Sequence, residues 1–206
     1  MPTRFIGAAV AALCVIGLSA CSESGTPTPG GDRETTTNPR PTSGSTTTTA
    51  ENDRYGAPSV ENPLDATKQL KDPCSSLTAD QQRALGNLEA FGSDPEDTDP
   101  SCLWKTPDLV TFVVSYIVPN KNGLADLYRG QEQGQWEYWE PTTVNGYPAV
   151  YQHASDNRSR GYCTISVGVT DQLHFSVFSR RAEPKTACDQ VKEVAAAVVD
   201  TLKNGG

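Results

Sequence analysis

The chain is poor in the groups that do chemistry. It has two histidines, His153 and His174, among 206 residues. Zinc centres draw on closely spaced cysteines and histidines, and the sequence holds no Cys-x-x-Cys. It also lacks Gly-x-Ser-x-Gly and any phosphate-binding glycine loop, so the usual signatures of a serine hydrolase or a nucleotide-binding enzyme are missing. No metal and no cofactor is implied. Basic residues are outnumbered 17 to 25, for a formal net charge of −8. An acidic surface repels phosphate backbones, which argues against a nucleic-acid partner. The one long apolar run, Phe5 to Gly17, falls short of the roughly 20 residues needed to cross a bilayer about 30 Å thick.

That run follows a short basic start, Met1-Pro2-Thr3-Arg4, and ends at Leu18-Ser19-Ala20-Cys21. This is the layout of a secretory signal peptide, and Leu-Ser-Ala-Cys resembles the lipobox of bacterial lipoproteins. The resemblance implies a signal peptide over residues 1–20. It also implies diacylglycerol on the Cys21 thiol, palmitate-type acyl chains, and a place on the extracytoplasmic face of the cell membrane. Each buried methylene contributes about 0.8 kcal/mol, so two or three chains would hold where one is marginal. Residues 21–71 follow, dominated from Ser22 to about Asn62 by Ser, Thr, Pro and Gly. With few large apolar side chains to offset backbone entropy, they read as a disordered tether. Its reach is on the order of 40 Å, and its Thr/Pro content suits O-glycosylation.

Residues 72–206 carry eleven basic and eighteen acidic side chains and read as one folded domain. Thr78 suits an N-cap for a short helix over 79–85. Strands are expected at 102–105, 109–118, 136–140, 149–153, 162–170 and 173–179, with Asn145-Gly146 as a tight turn. A second helix is expected over 123–132, capped by Asn122. In the last helix, 184–203, Cys188, Val191, Ala195, Val198 and Leu202 form one apolar stripe. The class is α+β: an antiparallel sheet with N- and C-terminal helices packed on one face. Residues 92–100 read as a polar loop. Its Asp94, Glu96, Asp97 and Asp99 lack the ligand spacing of a calcium loop.

With Cys14 in the signal and Cys21 lipidated, Cys74, Cys102, Cys163 and Cys188 remain, an even number suited to two disulfides in an exported domain. Three pairings are open. Cys102 and Cys163 each stand near a strand start on a core face, and Cys74 and Cys188 each stand at a helix start. That favours Cys102–Cys163 with Cys74–Cys188. A Cys74–Cys102 clip is the alternative.

The densest feature is aromatic: Trp136, Tyr138 and Trp139, with Tyr147 and Tyr151 close behind. On a strand Trp136 and Tyr138 would face one way and Trp139 the other. Exposed rings there would stack on sugars or line a groove. Arg158, Arg160, Arg180 and Arg181 could gather into a basic patch. For a glycan-cleaving enzyme the available groups are the carboxylates Glu137 and Glu140 with His153 and His174.

Five motifs together resemble one family: Asp72-Pro73-Cys74, Cys102-x-Trp104, Asn145-Gly146-Tyr147-Pro148-Ala149, Cys163 on a strand, and Cys188 opening an alanine-rich helix. It is the DUF3558 family of actinobacterial cell-envelope lipoproteins, a domain of unknown function. One departure is that Cys188 follows Thr186-Ala187 rather than a second Asp-Pro. The family carries no agreed catalytic residues. The expectation is therefore a monomeric, lipid-anchored, non-enzymatic module that binds an envelope protein or glycan. A hydrolase or transferase acting on cell-wall glycans is the second expectation.

Overall fold

Alternation of apolar and polar residues builds most of the sheet. The computed structural model describes residues 54–94 and 98–205. The signal 1–20, Cys21, the tether as far as residue 53, and Glu96 and Asp97 lie outside the described residues. Seven strands form one antiparallel sheet: β1 (Glu89–Asp94), β2 (Ser101–Lys105), β3 (Thr111–Ile117), β4 (Tyr138–Val144), β5 (Tyr147–His153), β6 (Cys163–Thr170) and β7 (Leu173–Arg180). Their order is β1-β2-β3-β7-β6-β5-β4. The chain leaves β3, crosses to the far edge through a helix, and returns strand by strand until β7 pairs with β3.

Among the described residues four α-helices accompany the sheet: α1 (Thr67–Lys71), α2 (Ala79–Ala84), α3 (Ala125–Glu132) and α4 (Ala187–Lys203). Among the described residues no helix is long and apolar enough to cross a membrane. Thr78 caps α2 in a capping box with Gln81, satisfying two otherwise unpaired backbone N–H groups. Asn122 does not cap α3. Its amide donates to Asp126 Oδ1 (3.1 Å), and the cap position is Leu124. The β4–β5 hairpin turns on Asn145 (φ 48°) and Gly146 (φ 88°), the left-handed pair that a two-residue hairpin of matching twist requires.

One face of the sheet, the inner face, carries Cys102, Trp104, Phe112, Val114, Tyr116, Ile165, Val167, Phe175 and Val177, all buried. α4 lays Val191, Val194, Ala195, Val198 and Leu202 into the same core. Each such aliphatic side chain contributes about 1.5–3 kcal/mol on full burial, so α4 clamps the domain. α2 joins it there: Gln81 Nε2 donates to Ala197 O (2.9 Å) and accepts at Oε1 from Thr201 Oγ1 (2.9 Å). The N- and C-terminal helices thus share one face, as the sequence predicts.

α3 lies on the opposite, outer face. Its Ala125 and Leu127, with Leu124 just before them, pack on Val150, which points away from its strand neighbours Ala149 and Tyr151. Gly168 makes this closure sterically feasible. A Cβ there would stand 2.9 Å from a Val60 methyl and 3.2 Å from a Leu124 methyl.

Two expectations need correction. The domain does not begin at residue 72. Ala57, Val60 and Ala66 are buried, Val60 N–H donates to Asp171 Oδ1 (2.9 Å), and Leu64 N–H donates to Val169 O (3.0 Å). Residues 54–71 therefore belong to the fold. They are held by backbone hydrogen bonds and a few small apolar side chains, which composition does not register. The disulfides are Cys74–Cys102 and Cys163–Cys188, with Cα atoms 5.1 and 5.2 Å apart. Cys102 and Cys163 cannot pair because β3 and β7 lie between β2 and β6. Three strand spacings amount to about 14 Å, twice what a disulfide spans. Each bridge instead joins a strand to the helical segment above it.

Candidate functional site

The five aromatic residues singled out in the sequence divide between the two faces. β4 starts at Tyr138, so Trp136 precedes the strand and does not alternate with it. Its indole Nε1–H donates to Leu127 O (2.9 Å). Trp139 meets Tyr128 edge to face at 4.9 Å. Both tryptophans therefore pack on α3, together, where opposite faces were expected. Their rings fasten a helix to the sheet and offer no free platform.

Tyr138 and Tyr151 lie on the α4 side, with rings stacked at 6.3 Å. The Arg158 guanidinium sits 3.7 Å from the Tyr138 ring centroid. Asp156 holds it there with two hydrogen bonds (2.8 and 2.7 Å). The same bonds keep the Asp156 carboxyl down at about 2. Tyr138 Oη donates to Glu140 Oε2 (2.8 Å), and Tyr151 Oη donates to Cys188 O (3.3 Å). Burial pushes both phenols up to about 12, aided at Tyr138 by Glu140 and at Tyr151 by Asp189. Both remain hydroxyl donors at any physiological pH. This corner offers stacking and hydrogen bonding around Glu140, Asp189 and Arg158.

Tyr147 opens onto a cleft of about 550 Å³ between residues 58–62 and the β4–β5 hairpin. Ser59, Asn62, Thr142 and Thr143 contribute hydroxyls and amides to its lining, beside Glu61 and Lys203. Lys203 Nζ stands 5.2 Å from the Tyr147 ring centroid and donates to Asn145 O (2.8 Å). One wall is the segment that the sequence reading assigns to the tether, so this cleft was not legible there.

The groups considered for glycan cleavage do not form one cluster: Glu137 N–H donates to His153 O (3.1 Å), while His174 lies on a different strand. His174 is enclosed on the outer face at 2% exposure. Burial lowers its imidazole to about 4. His153 ends β5, which β6 separates from β7, and its Nδ1 accepts from Ser155 N–H (3.2 Å). Glu137 accepts from Asp156 N–H (3.2 Å), and Glu140 is bound to Tyr138. Of the four arginines, Arg158 is held by Asp156 and Arg160 stands 5.6 Å from the Tyr162 ring centroid. Among the described residues no group of three or more His, Cys, Asp or Glu side chains is placed to hold a metal.

Fold and surface together define an α+β domain with two disulfides and open, mixed-polarity clefts. Residues 16–201 match the family described as "Protein of unknown function (DUF3558)", and the chain belongs to that family. No curated protein and no solved structure matches it.

Proposed function

We propose that the chain is an exported lipoprotein, anchored through lipid on Cys21 at the extracytoplasmic face of the cell membrane, whose domain binds a ligand without transforming it. The observation that carries this reading is a pairing of features. Leu18-Ser19-Ala20-Cys21 stands ahead of a domain whose four remaining cysteines are all used in two disulfides. Disulfides persist in oxidising compartments, which supports export, and a cysteine reserved for lipid supports the anchor. The hydroxyl and amide lining beside Tyr147 supports a polyhydroxylated envelope ligand such as a cell-wall glycan.

Cys21→Ala tests the anchor. The wild-type chain is expected in the membrane fraction, with Cys21→Ala accumulating as uncut precursor. Equal membrane retention of a processed Cys21→Ala chain contradicts the reading. Tyr147→Ala tests the ligand site: retention on purified cell-wall glycan should fall severalfold. Turnover of that glycan by the wild-type chain would overturn the non-enzymatic part.

A further inference from the structure

A second cleft, about 510 Å³, opens at the other end of the inner face. It lies where the turn after α2, the β2–β3 turn and α4 meet. Its floor is apolar, with Leu85, Val110, Phe112 and Val194 contributing. Its charged lining residues, Asp108 and Glu193, are both acidic and both exposed.

Neither carboxylate pairs with a cation among the described residues. The cations closest in sequence are engaged elsewhere. Lys105 Nζ sits 5.5 Å from the Phe91 ring centroid, Arg83 is tied to Asp80, and Lys192 Nζ donates to Thr142 Oγ1 (3.4 Å). Gln190 lines the same cleft, and its Oε1 is buried with no donor among the described residues. Buried acceptors are normally satisfied. Leu109, next to Asp108, is 56% exposed on a left-handed backbone (φ 65°). That conformation is a genuine outlier for a bulky residue, and it presents an apolar side chain beside the cleft.

Two unpaired, exposed carboxylates beside an apolar floor favour a ligand that carries positive charge and an apolar body. We infer that this cleft binds a small amphiphilic amine through its primary ammonium group. Asp108 and Glu193 supply the counter-charge, and Val110, Phe112 and Leu85 cover the apolar part. The volume falls within the range of small-ligand pockets, roughly 300–1,000 Å³. The inference rests neither on the lipid anchor nor on the Tyr147 cleft.

The test is a titration of the full-length chain with 2-phenylethylammonium, read by calorimetry and by amide chemical shifts. Phenylacetate, with the same ring and opposite charge, is the comparison. Saturable binding with Kd of about 1 mM or tighter is expected, with shifts centred on Val110 and Val194. Phenylacetate should bind at least tenfold more weakly. Asp108→Asn combined with Glu193→Gln should also weaken the amine at least tenfold. Both are exposed charge-only changes, and an unchanged thermal midpoint would show the fold intact. Raising the salt should weaken binding severalfold, because the carboxylates face solvent. Phenylacetate binding as well as the amine, the double variant binding like wild type, shifts centred on Tyr147 instead, or no saturation by about 20 mM would each overturn the inference.

Discussion

The two faces of the sheet are made from the same strands and differ in nearly everything else. On the inner face Trp104, Val114, Tyr116, Ile165, Val167, Phe175 and Val177 are fully enclosed, with α4 over β6 and β7 and residues 73–76 over β2 and β3. On the outer face Leu103, Val113, Ser115, Ile117 and Phe178 stay half-buried. Where α3 closes the outer face, it encloses polar atoms as well as Val150. Gln152 Nε2 donates to Ser166 Oγ (3.1 Å), the Ser166 and Ser176 hydroxyls hydrogen-bond to each other (2.7 Å), and His174 sits within reach of Gly123 and Asp126. The inner face is a hydrophobic core with both disulfides at its helices. The outer face is a polar seam under one eight-residue helix. Stability should reside in the first, and sensitivity to pH in the second.

The strongest way to break this contrast is to remove the bridges, both of which join inner-face strands to helical segments. They are separated by 28 and 25 residues in sequence, and a loop of that size is worth about 3–4 kcal/mol in the chain-entropy model. Losing both rivals the whole net stability of an ordinary domain, about 5–15 kcal/mol. Reduction should therefore lower the urea midpoint drastically or unfold the domain at 37 °C. A midpoint unchanged by reductant would show that the bridges constrain nothing.

Single substitutions sharpen the same contrast. Trp104→Ala, in the inner core, should cost about 3–5 kcal/mol. Val113→Ala, one strand over and half-buried on the outer face, should cost about 1 kcal/mol. Chemical denaturation measures both, and equal losses would erase the distinction between the faces.

His174 probes the outer face. Burial lowers its imidazole to about 4, while the free side chain titrates near 6.5. Between these values the unfolded chain binds the proton and the folded chain does not, so unfolding gains as pH falls. The contribution is fully present above about 6.5 and is lost toward 4, at up to about 1.4 kcal/mol per pH unit. Urea midpoints at pH 7 and pH 5 should diverge more in the wild type than in His174→Asn. Equal slopes would place the pH sensitivity elsewhere.

The inner face was largely legible in the sequence, and the outer face was not. The stripe from Cys188 to Leu202, the Thr78 cap, the Asn145-Gly146 turn and the alternation of β6 and β7 each carry their own local signal. The structure reproduces them. β1 escaped because an edge strand exposed at nearly every position shows no alternation, and its Gly92 and Asp94 read as loop. Residues 54–66 escaped because what holds them is a pair of backbone hydrogen bonds and the Arg54–Asp171 ion pair at 3.1 Å. The disulfide pairing depended on β7 inserting between β3 and β6, a long-range choice that no local pattern encodes. Trp136 and Trp139 were assigned to different faces because strand periodicity was extended two residues before β4 begins.

One measurement meets the central claim, an anchored and disulfide-stapled module, most directly. It is non-reducing tryptic mapping by mass spectrometry of the protein extracted from membranes. An N-terminal peptide beginning at Cys21 and carrying lipid mass is expected, with Cys74 linked to Cys102 and Cys163 linked to Cys188. A mature N-terminus elsewhere with Cys21 unmodified, or a peptide linking Cys74 to Cys188, would contradict it.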